Sequence, residues 1–235
     1  MIVFEEEDLE EYSLTEGDIA VPVEVYLSAG ETEVCILVYK AFADTAREFE
    51  KLHGKDPFSE AAIRFWAEHL DPLMDGPGFV PSPDNRCAVR EYFLEREEDL
   101  HTECILPATR LIRRDAELRA LPNATSQPLT LSEEGQEACA VYMEDGKVVA
   151  CAAENDLCWE DDSVEIHVEC APFARRRGYA TSCAVLLTQD LIRDGHPVRY
   201  LCRESNTASV RVAEKAGFSF TGIRYSHVSY RRGVL

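Results

Sequence analysis

From Glu137 to the end of the chain, apolar residues alternate between a two-residue and a 3.6-residue period, and this constrains the fold more than any other feature. "EACAVYMEDGKVVACAAEND" is two apolar runs around Asp145-Gly146, the signature of a β-hairpin. "SVEIHVEC" alternates as a strand, with Glu165, His167 and Glu169 on one face and Ile166, Val168 and Cys170 on the other. Pro172 cannot extend that ladder. "GYATSCAVLLTQDLIRDG" reads as a helix with Gly195 past its end, "PVRYLCR" as a buried strand, and "SNTASVRVAEKAG" as a helix capped by Ser205 or Asn206 and ended by Gly217. "FSFTGIRYSHVSYRRG" supplies one or two final strands. Strands interleaved in this order with helices predict a mixed α/β (α+β) fold.

Upstream, "EVCILVYKAF" reads as a strand and "ADTAREFEKLHG" as a helix ending at Gly54. "DPFSEAAIRFWAEHL" reads as a helix with Ser59 as N-cap and Ala62, Phe65, Trp66 and Leu70 on its apolar face. "DGPGFVPSPDN" is a Gly/Pro loop, and "VREYFLEREEDL" is consistent with a short helix. "EEEDLEE" reads as a solvated end. We expect residues 1–105 to form an N-terminal α/β extension or small domain and residues 106–235 a second domain. Residues 1–130 carry 28 acidic and 12 basic side chains against 16 and 12 in 131–235, so most of the net charge of −20 lies upstream. Such a chain repels nucleic acid and anionic membranes and is either simply soluble or attractive to a cationic substrate. No apolar run reaches the ~18 residues that span a bilayer, and "MIVFEEEDLEEY" lacks a basic flank, so the expected location is cytoplasmic. The nine cysteines form no CxxC pair, which predicts buried reduced thiols and no metal site.

Against that acidity, Arg175-Arg176-Arg177-Gly178 gathers positive charge where a strand gives way to a helix. A helix start leaves backbone N–H groups unpaired and favours anions, above all phosphates. Gly178 admits close approach of an anion, Ala180 keeps the first turn clear, and arginines add charge-assisted hydrogen bonds. The alternative is a basic surface turn ahead of an ordinary helix. The stretch has neither the GK[ST] of a Walker A loop nor GxGxxG.

Together these residues resemble the GNAT acetyltransferase superfamily over about residues 137–235. The cofactor motif, Arg or Gln, two residues, Gly, one residue, then Gly or Ala, is matched by Arg175 to Ala180. The family's Asn-containing helix ending in Gly-Phe is matched by Asn206, Gly217 and Phe218. "VEIHVECAPFARRRGYA" with "NTASVRVAEKAGF" is similar to a bacterial branch of the family. The resemblance implies a mostly antiparallel sheet flanked by helices, with the N-terminal extension added. It also implies acetyl-CoA as acyl donor. Main-chain groups of Val168 and Cys170 would pair with the pantetheine arm. Arg175, Arg176, Arg177, Gly178, Tyr179, Ala180 and Thr181 would hold the pyrophosphate, and Asn206 and Ser209 would touch the cofactor. Asn206 is equally read as a cap alone.

The resemblance further implies acetyl transfer to a primary amine by direct attack in a ternary complex. Glu165 stands where some members keep a general base; Glu169 shares its face, and Tyr225 is a candidate acid on the last strands. Each also has a structural reading, Glu165 as a carboxylate near the sheet edge, Tyr225 in sheet packing and His167 as a satisfied polar residue. Many members keep a tyrosine acid seven residues after the asparagine, and here that position is Ala213. An acyl-CoA-binding protein without turnover therefore stands as the alternative. The expected partners are a small-molecule or peptide amine, with no nucleic acid and no membrane, and the expected state is monomer or homodimer. A weaker reading makes residues 1–130 a partner-binding domain.

Overall fold

A computed structural model describes residues 2–7, 19–75, 78–81, 86–126, 129, 131, 138–158 and 161–231. In chain order the elements are β1 (Ile2–Glu7), β2 (Ile19–Ala20), β3 (Val23–Ser28), β4 (Val34–Tyr39), α1 (Ala43–His53), α2 (Glu60–Asp75), β5 (Phe79–Pro81) and β6 (Val89–Leu94). Then follow β7 (Thr109–Ile112), α3 (Asp115–Arg119), β8 (Cys139–Glu144), β9 (Lys147–Cys158), β10 (Val164–Cys170) and α4 (Tyr179–Arg193). The last are β11 (Val198–Arg203), α5 (Thr207–Ala216), β12 (Ser219–Ser226) and β13 (Ser229–Arg231). The sequence places a division at 105/106. The compact units of the structure are Met1–Arg90 with Thr221–Leu235, and Glu91–Phe220.

In the first unit β3 pairs antiparallel with β4 and β12, and β1 pairs parallel with β4. Strands β2 and β5 flank β13. Residues 2–7 are therefore a strand and not a solvated end; the rest of that acidic run lies outside the described residues, as does most of the 75–85 loop. Helix α2 begins as expected, with Ser59 Oγ accepting from the Ala62 N–H at 3.3 Å. It runs on through Pro72 to Asp75, past the expected end. Ala62, Phe65, Trp66 and Leu70 are all buried, and Trp66 stacks on Phe49 with ring centroids 4.5 Å apart. Gly54 ends α1 in the right-handed region, so it is not a left-handed cap.

One buried polar chain crosses this apolar core. Tyr225 Oη is 3.0 Å from His227 Nδ1, and His227 Nε2 is 3.1 Å from Asp71 Oδ1, whose carboxylate also pairs with Arg86. Burial holds His227 below its ordinary pKa, with Asp71 acting in the opposite sense. The neutral ring can accept from Tyr225 at Nδ1 while its Nε2–H faces Asp71. A histidine held below its unfolded pKa costs stability as pH falls through about 6.5, because the unfolded chain binds the proton first. Urea midpoints measured between pH 8 and pH 5 should fall, and His227→Gln should flatten that dependence. An unchanged slope in His227→Gln would remove this role.

The second unit carries the strand order β6-β11-β10-β9-β8-β7. Its β7/β8, β8/β9 and β9/β10 pairs are antiparallel and β10/β11 is parallel, giving the expected mixed, mostly antiparallel sheet flanked by helices. Asp145 and Gly146 both have positive φ (51° and 75°), as the tight turn of the β8–β9 hairpin requires. Residues 89–94 are a strand, not the expected short helix. Tyr92 and Leu94 enter the apolar core while Glu91 pairs with Arg199, and that is a two-residue period. Helix α4 covers one sheet face, where Cys183, Val185, Leu187 and Leu191 meet Ala140, Ala150, Ala152 and Ile166. Leu118, Leu129 and Leu131 cover Cys139, Val141 and Cys151 on another patch.

All eight cysteines with described side chains are free, and Cys139, Cys151, Cys183 and Cys202 are buried. Burial pushes the Cys139 thiol to about 12 and Cys151 to about 11, far from a thiolate at neutral pH. Among the described residues no helix is long and apolar enough to cross a membrane.

Candidate active site

Strand β10 has the two faces read from the sequence. Val164, Ile166, Val168 and Cys170 pack into the core beneath α4, leaving Glu165, His167 and Glu169 on the opposite face. Its two neighbours treat it differently. β9 follows it to Cys170, whereas the parallel ladder with β11 consists of Val164↔Val198 and Glu165↔Arg199. Beyond Glu165 the described ladders pair β10 with β9 alone. Only alternate residues of an antiparallel strand bond to one neighbour, so Val168 and Cys170 lie on a stretch whose other edge is available to an extended ligand.

The chain then turns through Pro172–Ala174, and Arg175 Nε donates to the Cys170 carbonyl at 3.3 Å. Arg176 (φ 63°) and Gly178 (φ 85°) are both left-handed and swing the chain into α4. Only glycine takes this conformation without steric cost. A methyl group added at Gly178 would meet no other protein atom within 4 Å, so the space before the helix start is open. Ser182 N–H donates to the Gly178 carbonyl, and the N–H groups of Tyr179, Ala180 and Thr181 precede the helical ladder, as in any first turn. Ser182 Oγ, fully buried, accepts from Leu106 N–H at 2.8 Å and meets Thr109 Oγ1, which ties β7 and its approach to this turn.

The three arginines differ. Arg175 is bound to the chain, Arg176 is exposed, and Arg177 makes two bonds to Glu144 at 2.9 and 3.1 Å. Tyr179 Oη donates to the same carboxylate at 3.1 Å, and its ring stacks on Tyr142 at 3.9 Å. The Arg177–Glu144 pair is about half exposed on the arginine side, so it holds the loop only weakly and can yield to a multiply charged anion.

Asn206 caps α5: its Oδ1 accepts from Ser209 N–H at 3.2 Å and its Nδ2 donates to Ser209 Oγ at 3.1 Å. Ala213 is fully buried in the core, so the position of the expected tyrosine faces packing, not a ligand. Tyr225 belongs to the other unit, in the Tyr225–His227–Asp71 chain, and burial pushes its hydroxyl pKa up.

Around Glu165 the structure adds residues the sequence did not single out. Glu165 is 7% exposed and accepts from Asn155 Nδ2 at 2.8 Å. His167 Nδ1 is 3.2 Å from Asn155 Oδ1. Arg199, its ladder partner, bonds Ser163 Oγ at 2.7 Å and pairs with Glu91 and Asp161. The Ser163 hydroxyl first, and Arg199 with it, hold the Asp161 carboxyl below its ordinary pKa. Glu169 accepts from the N–H and hydroxyl of Ser126. The one hint in the sequence is the unequal length of the two runs that make β9 and β10.

Residues 136–226 match the family model described as GNAT acetyltransferase. Solved structures of similar fold include a GNAT-family acetyltransferase from Novosphingobium aromaticivorans (17% identity over 61% of this chain and 64% of that one, TM-score 0.47). Another is a GCN5-related N-acetyltransferase from Kribbella flavida (16%, 71% and 65%, TM-score 0.47). A third is a GCN5-related N-acetyltransferase-like protein from Streptococcus suis (14%, 85% and 73%, TM-score 0.44). The chain spans just under two thirds of the length of the first two. No curated protein matches the chain.

Proposed function

We propose that the protein transfers an acetyl group from acetyl-CoA to a primary amine by direct attack in a ternary complex. The observation that carries this reading is the β10/β11 ladder ending at Glu165↔Arg199, directly ahead of the open helix start at Gly178. Acetyl-CoA supplies the activated thioester. The free edge of β10 at Val168 and Cys170 binds its extended arm, and a strand N–H near Val168 polarises the carbonyl. The turn from Arg175 to Thr181 takes the pyrophosphate, with Arg176 unengaged by any other described carboxylate and Arg177 released from Glu144. Asn206 and Ser209 act here through the start of α5. Glu165 takes the amine proton directly or through a water, with Glu169 on the same face as second candidate. The amine nitrogen bonds the acetyl carbon, the C–S bond breaks, and the thiolate is protonated by water, Ala213 having no proton to give. The acceptor is a small-molecule or peptide amine, and the site of action is the cytoplasm. We keep residues 1–105 as an extension or small domain and 106–235 as the catalytic one in this reading.

The buried Ala213 favours one alternative, an acyl-CoA-binding protein without turnover. Release of free CoA across a panel of amines separates the two. Binding itself is tested by calorimetry with CoA and dephospho-CoA. Gly178→Val places a β-branched residue at φ 85° and fills the open space, so it should weaken CoA binding more than tenfold, ~1.4 kcal/mol. Absence of saturable acetyl-CoA binding at millimolar concentration would refute both readings.

A further inference from the structure

The ladder between β9 and β10 breaks its register beside Glu165. Val164 faces Cys158 and Ile166 faces Glu154, so β9 spans four residues where β10 spans two. Continued by one step, the Ile166↔Glu154 register sets Asn155 opposite Glu165 at the edge of the shift, and its amide meets both Glu165 and His167 on the polar face of β10.

The contacts fix which way the amide lies. An ionised carboxylate only accepts, so the atom 2.8 Å from Glu165 Oε1 is Asn155 Nδ2. Asn155 Oδ1 then faces His167 Nδ1 at 3.2 Å, and that nitrogen must carry the proton. A turned amide would set its oxygen against the ionised carboxylate. The three side chains therefore form one directed chain, His167 to Asn155 to Glu165.

We propose that Asn155 is the positioning residue for Glu165, and that His167 locks it in the donating orientation. This rests on the acetyl-transfer reading for its kinetic consequence. A proton acceptor must keep one carboxylate geometry through turnover, and a donor fixed on one oxygen supplies that. Among the described residues, three further titratable or charged groups flank the chain. Arg199, across from Glu165, is held by Glu91 and Asp161; Glu169 is held by Ser126; the Cys151 thiol opposite Glu169 is neutral.

The test has one arm that needs no substrate. In 15N-histidine-labelled protein, long-range 1H–15N spectra should show His167, assigned by its loss in His167→Gln, with Nδ1 protonated and Nε2 bare at neutral pH. Asn155→Asp keeps the shape but cannot donate to Glu165, and it adds a negative charge between the two groups. It should raise the His167 titration midpoint by about one pH unit and move the acid limb of kcat/KM upward by a similar amount. Asn155→Ala should lower kcat about tenfold with the KM for acetyl-CoA unchanged. An Nε2–H tautomer in the wild type, or an unmoved His167 midpoint in Asn155→Asp, overturns the chain. An intact tautomer with no turnover by the wild type would count against acetyl transfer and leave the side-chain chain standing. An unaltered pH profile in an active Asn155→Asp would reduce Asn155 to a structural role and defeat the proposal.

Discussion

Glu165→Gln should lower kcat about a hundredfold and leave acetyl-CoA affinity nearly unchanged. The substitution preserves volume and can still accept from Asn155 Nδ2 through its amide oxygen, so the buried site keeps its hydrogen bond. What it loses is the proton acceptor. An amine at neutral pH is mostly protonated and must surrender a proton to attack, so the loss should shrink as pH rises and free amine becomes abundant. In the proposed reading acetyl-CoA is held by the main chain of Val168 and Cys170 and by the turn at Gly178, none of which the substitution touches. Turnover at the wild-type rate at pH 7 would transfer the role to Glu169 or to solvent. A loss of fold stability with no change of pH profile would make Glu165 the structural carboxylate paired across the ladder with Arg199.

The parts of this site that come from consecutive residues are legible in the amino-acid sequence. The two faces of β10, the turn at Gly178 and the Asn206 cap each depend on a stretch of a few residues whose backbone demands are local. Strand β6 is not legible in that way. "VREYFL" is too short for either period to win, and its burial against Tyr200 and Phe218 decides the matter. Strand β1 is hidden for the opposite reason: three glutamates suggest solvent, yet pairing with β4 uses only the backbone. Asn155 meets Glu165 only through the pairing register of β9 with β10, so neither run shows the contact alone. Glu144, which engages Arg177 and Tyr179, and Ser126, which engages Glu169, are separated from them by more than thirty residues. Tyr225 is a candidate acid by its position after the family segment's last helix, but the chain passes into the other unit at Thr221.

Gly217→Ala should destabilise the second unit by about 2–4 kcal/mol. Gly217 ends α5 at φ 102°, and its N–H and that of Phe218 satisfy the Glu214 and Ala213 carbonyls of the last turn. A side chain there is strained by the backbone alone, at roughly 1 kcal/mol. The larger part comes from packing. A Cβ at Gly217 would stand 2.1 Å from the Asp99 carbonyl oxygen and 3.3 Å from the His101 nitrogen. Neither can move cheaply, because His101 N–H donates to the Ala216 carbonyl at 3.0 Å and His101 Nδ1 lies 3.0 Å from the Lys215 carbonyl. The 97–104 turns thus cap the C-terminal end of α5 by backbone contact, and that closeness is what the glycine permits. Gly195→Ala isolates the conformational part: φ is 95° there too, but an added methyl meets nothing within 4 Å. Its expected cost is only about 1 kcal/mol. Denaturant midpoints of the two variants should therefore differ clearly, and equal losses would mean that the Asp99 contact is not what holds Gly217 in place.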